Sequence, residues 1–150
     1  MPNNVPPPQT AGTMKRILII EDDCKIAMAL ALRLKSAGHE ATAAYDALTG
    51  VNAAVKNPPD LVLLDIGLPG GDGFTVAEKI QSLVRTPIPM IFITASKQPG
   101  FRQRANELGA AGYFEKPYEA EDLLAAIQDA FSRRTARSLN PEQKNQLYLE

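Results

Sequence analysis

A chain of 150 residues is long enough to bury the core of one ordinary domain. With 45% apolar residues, 22% charged residues and a formal net charge of -1, it carries no positive field for polyanions, so nucleic-acid binding by this domain itself is not expected. The single cysteine, Cys24, excludes an intramolecular disulfide, and neither a membrane-length apolar run nor a basic-then-apolar leader is present, so a cytoplasmic location is expected.

Residues 1–13 hold four prolines and little apolar surface, and predict a flexible arm. From Met14 the pattern changes. "KRILII" predicts a strand, and "CKIAMALALRLKSAG" a helix with Ile26, Leu30, Leu34 and Ala37 on one stripe, closed by Gly38. "EATAAY" predicts a weak second strand, followed by a helix from near Asp46 with Ala47, Val51, Ala54 and Val55 inward and a break at Pro58 and Pro59. "LVLL" is a third strand running into the glycine loop "DIGLPGGDG", in which Gly70, Gly71 and the pair Asp72 and Gly73 are expected to be turn residues. Then come a helix with Ala77, Ile80 and Val84 on one face, a fourth strand "PMIFIT", a short helix "FRQRANELGA" and a fifth strand "AGYFE". The last helix starts near Glu119, carries Leu123, Leu124, Ile127 and Phe131, and is expected to end near "SRR". Residues 132–150 read as a polar tail or the start of a linker or output region, with "LNPEQKNQLYL" a candidate helix.

Strict alternation of strands and helices, with unbroken apolar strands, predicts a doubly wound α/β domain: a five-stranded parallel sheet covered by helices on both faces. The working edge of such a sheet is the carboxyl end of its strands. Strand one exits into Glu21, Asp22 and Asp23, strand three into Asp65, strand four into Thr94, and strand five into Lys116 and Pro117. Asp23 reads first as a helix cap. Asp22 and Asp65 converging at one edge would repel unless a positive group lay between them. A hard divalent cation such as Mg²⁺ suits them, and the carbonyl of Gly67 stands where it can face the same ion. Lys116 adds a point charge for a phosphoryl group or for Asp65 itself. Thr94 is either a satisfied edge hydroxyl or a hydrogen-bond donor to a phosphoryl group. His39, the only histidine, lies away from this edge, so no Ser-His-Asp or Cys-His arrangement can be built there. Asp65 is then the candidate nucleophile, a carboxylate able to take a phosphoryl group. Cys24 reads as a small residue in the first helical turn, and Tyr113 as strand packing or something more specific.

These motifs resemble those of a response-regulator receiver domain: "ILIIEDD" for the acidic pocket, "LVLLDIGLPGGDGF" for the phosphoacceptor loop, "IFITAS" for the hydroxyl strand and "GAAGYFEKPY" for the lysine, in register over about residues 14–131. The resemblance implies a flavodoxin-like sheet of order 2-1-3-4-5. It implies that Asp65 accepts phosphate in a two-component phosphorelay, from a sensor histidine kinase or a histidine phosphotransfer protein. Asp22, Asp65 and the Gly67 carbonyl would bind Mg²⁺ or Mn²⁺, with Glu21 acting through a water. Lys116 would pair with the phosphoryl group, Thr94 would move toward it and Tyr113 would turn inward, remodelling a face of helix four, strand five and helix five that is also open to homodimerisation. The Lys116–Pro117 bond is expected to be cis. Such a protein is a switch that promotes its own phosphotransfer and dephosphorylation rather than an enzyme acting on others.

Two departures stand out. Glu21 occupies a position where many members have Asp, and Gly67 removes a side chain often found beside the acceptor, which bears on phosphate lifetime. Pro99 and Gly100 before helix four predict a short or mobile helix. Among alternatives, a haloacid-dehalogenase-like phosphatase would need an acid two residues past the nucleophile, where Gly67 stands, and a flavin carrier would not present "EDD" to a phosphate. A receiver-like module that binds partners without phosphorylation, and a receiver cut from a DNA-binding regulator, remain open; "LNPEQKNQLYL" has a faint resemblance to the opening helix of a LuxR-type DNA-binding domain.

Overall fold

A computed structural model describes residues 14–138; the proline-rich arm 1–13 and the segment from 139 onward, including "LNPEQKNQLYL", lie outside the described residues. The elements alternate as β1 (Arg16–Ile20), α1 (Cys24–Ser36), β2 (Glu40–Ala44), α2 (Ala47–Lys56), β3 (Leu61–Asp65), α3 (Gly73–Leu83), β4 (Met90–Thr94), α4 (Phe101–Glu107), β5 (Gly112–Glu115) and α5 (Ala120–Ser138). All strand pairs are parallel and the order is β2-β1-β3-β4-β5, the doubly wound sheet expected.

Because strand side chains alternate, the sheet divides the apolar residues into two layers. Leu18, Ile20, Val62, Leu64 and Phe92 pack with Val51, Phe74, Ala77 and Ile80 of α2 and α3. Ile17, Ile19, Leu61, Leu63, Ile91 and Ile93 pack with Leu30, Leu34, Leu123, Ile127 and Phe131 of α1 and α5. β1, β3 and β4 are covered on both faces, which is why they are written almost wholly in Ile, Leu, Val, Phe and Met.

The helical faces differ in detail from the periodicity. In α1 the buried stripe is Ala27, Leu30 and Leu34, whereas Ile26 is exposed and Ala37 is the exposed C-cap. In α2 Val51 and Ala54 are buried and Val55 is exposed. Both misses have one cause: residues four apart advance about 40° around a helix, so an i, i+4 run drifts off the face that i, i+3, i+7 residues keep. In α3 Ala77 and Ile80 are buried as expected, with Val84 the half-buried C-cap. α5 runs on to Ser138 rather than stopping near Ser132–Arg134, since "SRRTARS" contains neither glycine nor proline to end it.

The pair Asp72 and Gly73 is not a plain turn. Asp72 caps α3, its side chain accepting the Thr75 N–H at 2.9 Å, and Gly73 is the first helical residue. A Cβ on Gly73 would lie 2.5 Å from the Asp65 carbonyl oxygen, so glycine here lets α3 start directly against the end of β3. Its N–H donates to the Ile66 carbonyl at 2.8 Å, closing the loop that carries Asp65.

Candidate functional site

Strand order reverses between β1 and β3, and it is there, beyond their carboxyl ends, that doubly wound sheets form a crevice. Glu21 and Asp22 follow β1, and Glu21 extends the ladder by donating its N–H to the Ala44 carbonyl at 3.0 Å. Asp65 closes β3, Thr94 closes β4, and Lys116 follows β5 with its N–H on the Thr94 carbonyl at 2.8 Å. The Lys116–Pro117 peptide is cis. Asp23 stands apart as the α1 N-cap, its Oδ1 accepting the N–H groups of Lys25 and Ile26, and Cys24 is the exposed first residue of that helix.

Asp65 is held on both oxygens. Its Oδ1 accepts the Gly67 N–H at 3.0 Å, and its Oδ2 lies 3.3 Å from the Lys116 Nζ. The same ammonium is 3.4 and 3.5 Å from the two Glu21 carboxylate oxygens. These distances exceed those of tight charge-assisted bonds, so Lys116 sits between two carboxylates rather than seated on either. Glu21 is buried at 5% exposure, Asp65 at 8% and Thr94 at 2%, whereas Asp22 is exposed.

One lysine cannot neutralise two buried carboxylates, so burial and mutual repulsion pull their protonation apart. Burial, then the hydrogen bond and charge of Asp65, push Glu21 up to about 8 against the pull of Lys116. Asp65 moves the other way: burial raises it, but the hydrogen bonds from Glu21 and the Gly67 N–H, together with Lys116, outweigh burial and hold it below the ordinary carboxylate range. Lys116 is raised, desolvation being overcome by Asp65 and Glu21. The two carboxylates are thus pushed apart, Glu21 toward its protonated form and Asp65 toward its ionised form.

Carboxylate oxygens of Glu21, Asp22 and Asp65 lie within 4.8 Å of one another, a cluster of hard donors with one exposed member. That donor set fits a small divalent ion that keeps several waters, whose charge would offset the crowded carboxylates. Gly67 is exposed, and a Cβ built on it meets only Asp65 Oδ1 at 3.9 Å, so no backbone contact demands glycine there; the space beside the acceptor is open to solvent.

Thr94 accepts the Ser96 N–H on its Oγ1 at 3.0 Å, at the head of the β4–α4 loop. Tyr113 is half-buried on β5, under the guanidinium of Arg102, whose Cζ is 4.7 Å from the ring centroid. His39 lies at the other end of the sheet, against the Phe131 ring at 5.6 Å. Two residues were not singled out by the sequence. Tyr118 lines the small recess that Glu21, Asp65 and Lys116 also line, its ring 5.7 Å from Phe114. Arg102 looks in sequence like any helix-surface arginine. Gly73 begins α3 rather than ending a turn, and Asp72 directly before an apolar-periodic run is the local signal of that cap.

A doubly wound sheet of this order, with an acidic cluster and a lysine at its switch point, defines a receiver-like α/β domain. Residues 17–128 match the response regulator receiver domain family, and the chain belongs to it. It is 39% identical over 125 residues to the DNA-binding dual master transcriptional regulator RpaA of Synechocystis sp., a match covering 83% of this chain and 52% of that one. It is 37% identical over 124 residues to the transcriptional regulatory protein PdtaR of Mycobacterium tuberculosis, covering 82% and 60% respectively. Among solved structures, a CheY-like receiver domain protein of Methanospirillum hungatei superposes with a TM-score of 0.77 at 30% identity, over 84% of this chain and all of that one. The chain thus spans about half the length of the curated relatives it matches. Among the described residues no helix is long and apolar enough to cross a membrane.

Proposed function

We propose that Asp65 is the phosphoacceptor of this receiver domain, taking a phosphoryl group from a phosphohistidine of a sensor histidine kinase or a histidine phosphotransfer protein. The observation that carries this is the state of Asp65: at the switch point, ionised, fixed by the Gly67 N–H and faced by Lys116. In the transfer a carboxylate oxygen of Asp65 forms the new P–O bond as the P–N bond of the donor imidazole breaks; in dephosphorylation, water releases inorganic phosphate and restores the carboxylate. Asp22 and Asp65, with the Gly67 carbonyl and with Glu21 through a water, would hold Mg²⁺ or Mn²⁺, which when bound neutralises charge on the phosphoryl oxygens.

The chain's own residues do the rest. Lys116 gives up its contact with Asp65 for the phosphoryl oxygens, Thr94 donates its hydroxyl to the phosphoryl group, and Gly67 leaves the acceptor open to water. Movement of Thr94 frees space into which Tyr113 turns, changing the face made by α4, β5 and α5. That face serves a downstream protein, an output domain or a second copy of the chain. The domain begins near residue 14, its last helix runs on to Ser138, and it works in the cytoplasm. The length of the curated relatives beyond the matched region supports an output domain as the reader of the switch, DNA binding being what one of them is named for.

Labelling with acetyl phosphate followed by hydroxylamine tests the acceptor. A label released by hydroxylamine and absent from Asp65→Asn is expected; a hydroxylamine-resistant label would assign the acceptor to another chemistry.

A further inference from the structure

α4 is short and lacks a side-chain cap: it has seven residues, and its N-cap is Gly100, at φ 91°. Ala105 and Phe101 seat it on the core, Phe101 with its ring 5.3 Å from that of Phe74, and two arginines then reach from it to opposite neighbours. Arg104 ties it to α3, its Cζ 4.6 Å from the centroid of Phe74 and its Nη2 3.8 Å from Glu78. Arg102 ties it to β5, its Cζ 4.7 Å from the centroid of Tyr113 and its Nη2 3.9 Å from Glu115. Tyr113 and Glu115 are two residues apart on one strand and so face the same side, and Glu115 is the register partner of Thr94. One guanidinium therefore spans the switch tyrosine and the strand position beside the switch threonine.

We propose that Arg102 is a positioning residue that holds Tyr113 in its resting place and so acts as a brake on the switch. The inference rests on the reading that Tyr113 turns inward when Asp65 is phosphorylated. A contact biases a two-state equilibrium only if the two states differ in it. The stack of a cation on a ring face exists while Tyr113 lies under α4 and is lost when the ring leaves, whereas the exposed pair with Glu115 changes little. Arg102 therefore favours the resting state, and its removal should raise the population poised to accept phosphate by about two- to fivefold.

The experiment measures the rate of acetyl phosphate labelling in Mg²⁺ for the full chain, Arg102→Ala and Arg102→Lys, each also in a Tyr113→Leu background. A brake predicts a faster rate for Arg102→Ala by about two- to fivefold. It also predicts an intermediate rate for Arg102→Lys, whose ammonium keeps the charge but not the planar stack. With Leu at 113 neither change should alter the rate, a coupling that a merely structural arginine would not show. Equal or slower labelling by Arg102→Ala, with Tyr113 present, would overturn the proposal. If neither the unaltered chain nor any variant is labelled, it is the phosphoacceptor reading that fails. The ring resonances of Tyr113 in the unmodified protein then decide the clamp: displaced by Arg102→Ala if it exists, unmoved if it does not.

Discussion

β3 and β5 both end at the working edge, yet they are built differently. Every residue of β3 from Leu61 to Asp65 is buried, and the glycine at the start of α3 presses directly on its last carbonyl. Every residue of β5 is only half-buried, and the helix beside it is short, with Ala105 its one buried residue and exposed arginines along its flanks. The proposed acceptor thus stands on a fully buried strand, while the residues proposed to move stand on a half-buried one. If Asp65 is the phosphoacceptor, chemistry on the rigid half and switching on the looser half would let a change at Asp65 be read without disturbing what positions it.

The rigid half can be broken most severely at its charges. Lys116→Ala should keep the fold but slow acetyl phosphate labelling by about a hundredfold, the scale of losing one preorganised electrostatic contact. A loss below about tenfold would mean that the lysine positions rather than stabilises. Gly73→Ala attacks the same half through its backbone. The added Cβ, 2.5 Å from the Asp65 carbonyl oxygen, should cost about 1–3 kcal/mol in urea unfolding and reduce labelling as well.

A third test uses pH. Glu21 is raised from its ordinary value of 4.5 to about 8, so the folded chain without metal binds a proton that the unfolded chain releases near 4.5. Its contribution to stability is full below about pH 4.5 and is lost as pH rises toward 8. Mg²⁺ competes with that proton, so the apparent affinity for the ion should rise with pH, by up to about tenfold per unit, and level off above about 8. Calorimetric titration at several pH values checks this; an affinity flat between pH 6 and 8 would remove Glu21 from the account. The smallest effect is expected at the opening beside the acceptor. Gly67→Asn should lengthen the lifetime of the aspartyl phosphate by about threefold by crowding the approach of water.

The rigid half was also the more legible in sequence. "ILIIEDD" and "LVLLD" state burial and exit in adjacent letters, because a strand buried on both faces and its polar terminus are local features. Helix boundaries were legible where a cap or a breaker marked them, as at Asp23, Asp46 and Pro58, and illegible at the end of α5, where nothing does. Ile26 and Val55 were misplaced because four-residue spacing fits two neighbouring faces of a helix, and only the sheet behind it selects one. Gly73 reads locally as a turn residue because the reason for it, an approach to the Asp65 carbonyl, belongs to the tertiary structure. Arg102 and Tyr118 were silent for the same reason: their partners lie on other elements, and no local pattern announces a stack or a recess. The resemblance to receiver domains supplied roles for Asp22, Thr94 and Tyr113 that spacing alone left open.

Intact mass after incubation with acetyl phosphate, with and without Mg²⁺, tests Asp65 as the phosphoacceptor most directly. A gain of one phosphoryl group per chain that requires Mg²⁺ and is absent from Asp65→Asn is the predicted result. An unchanged mass under every condition, or a phosphoryl group still gained by Asp65→Asn, would contradict it.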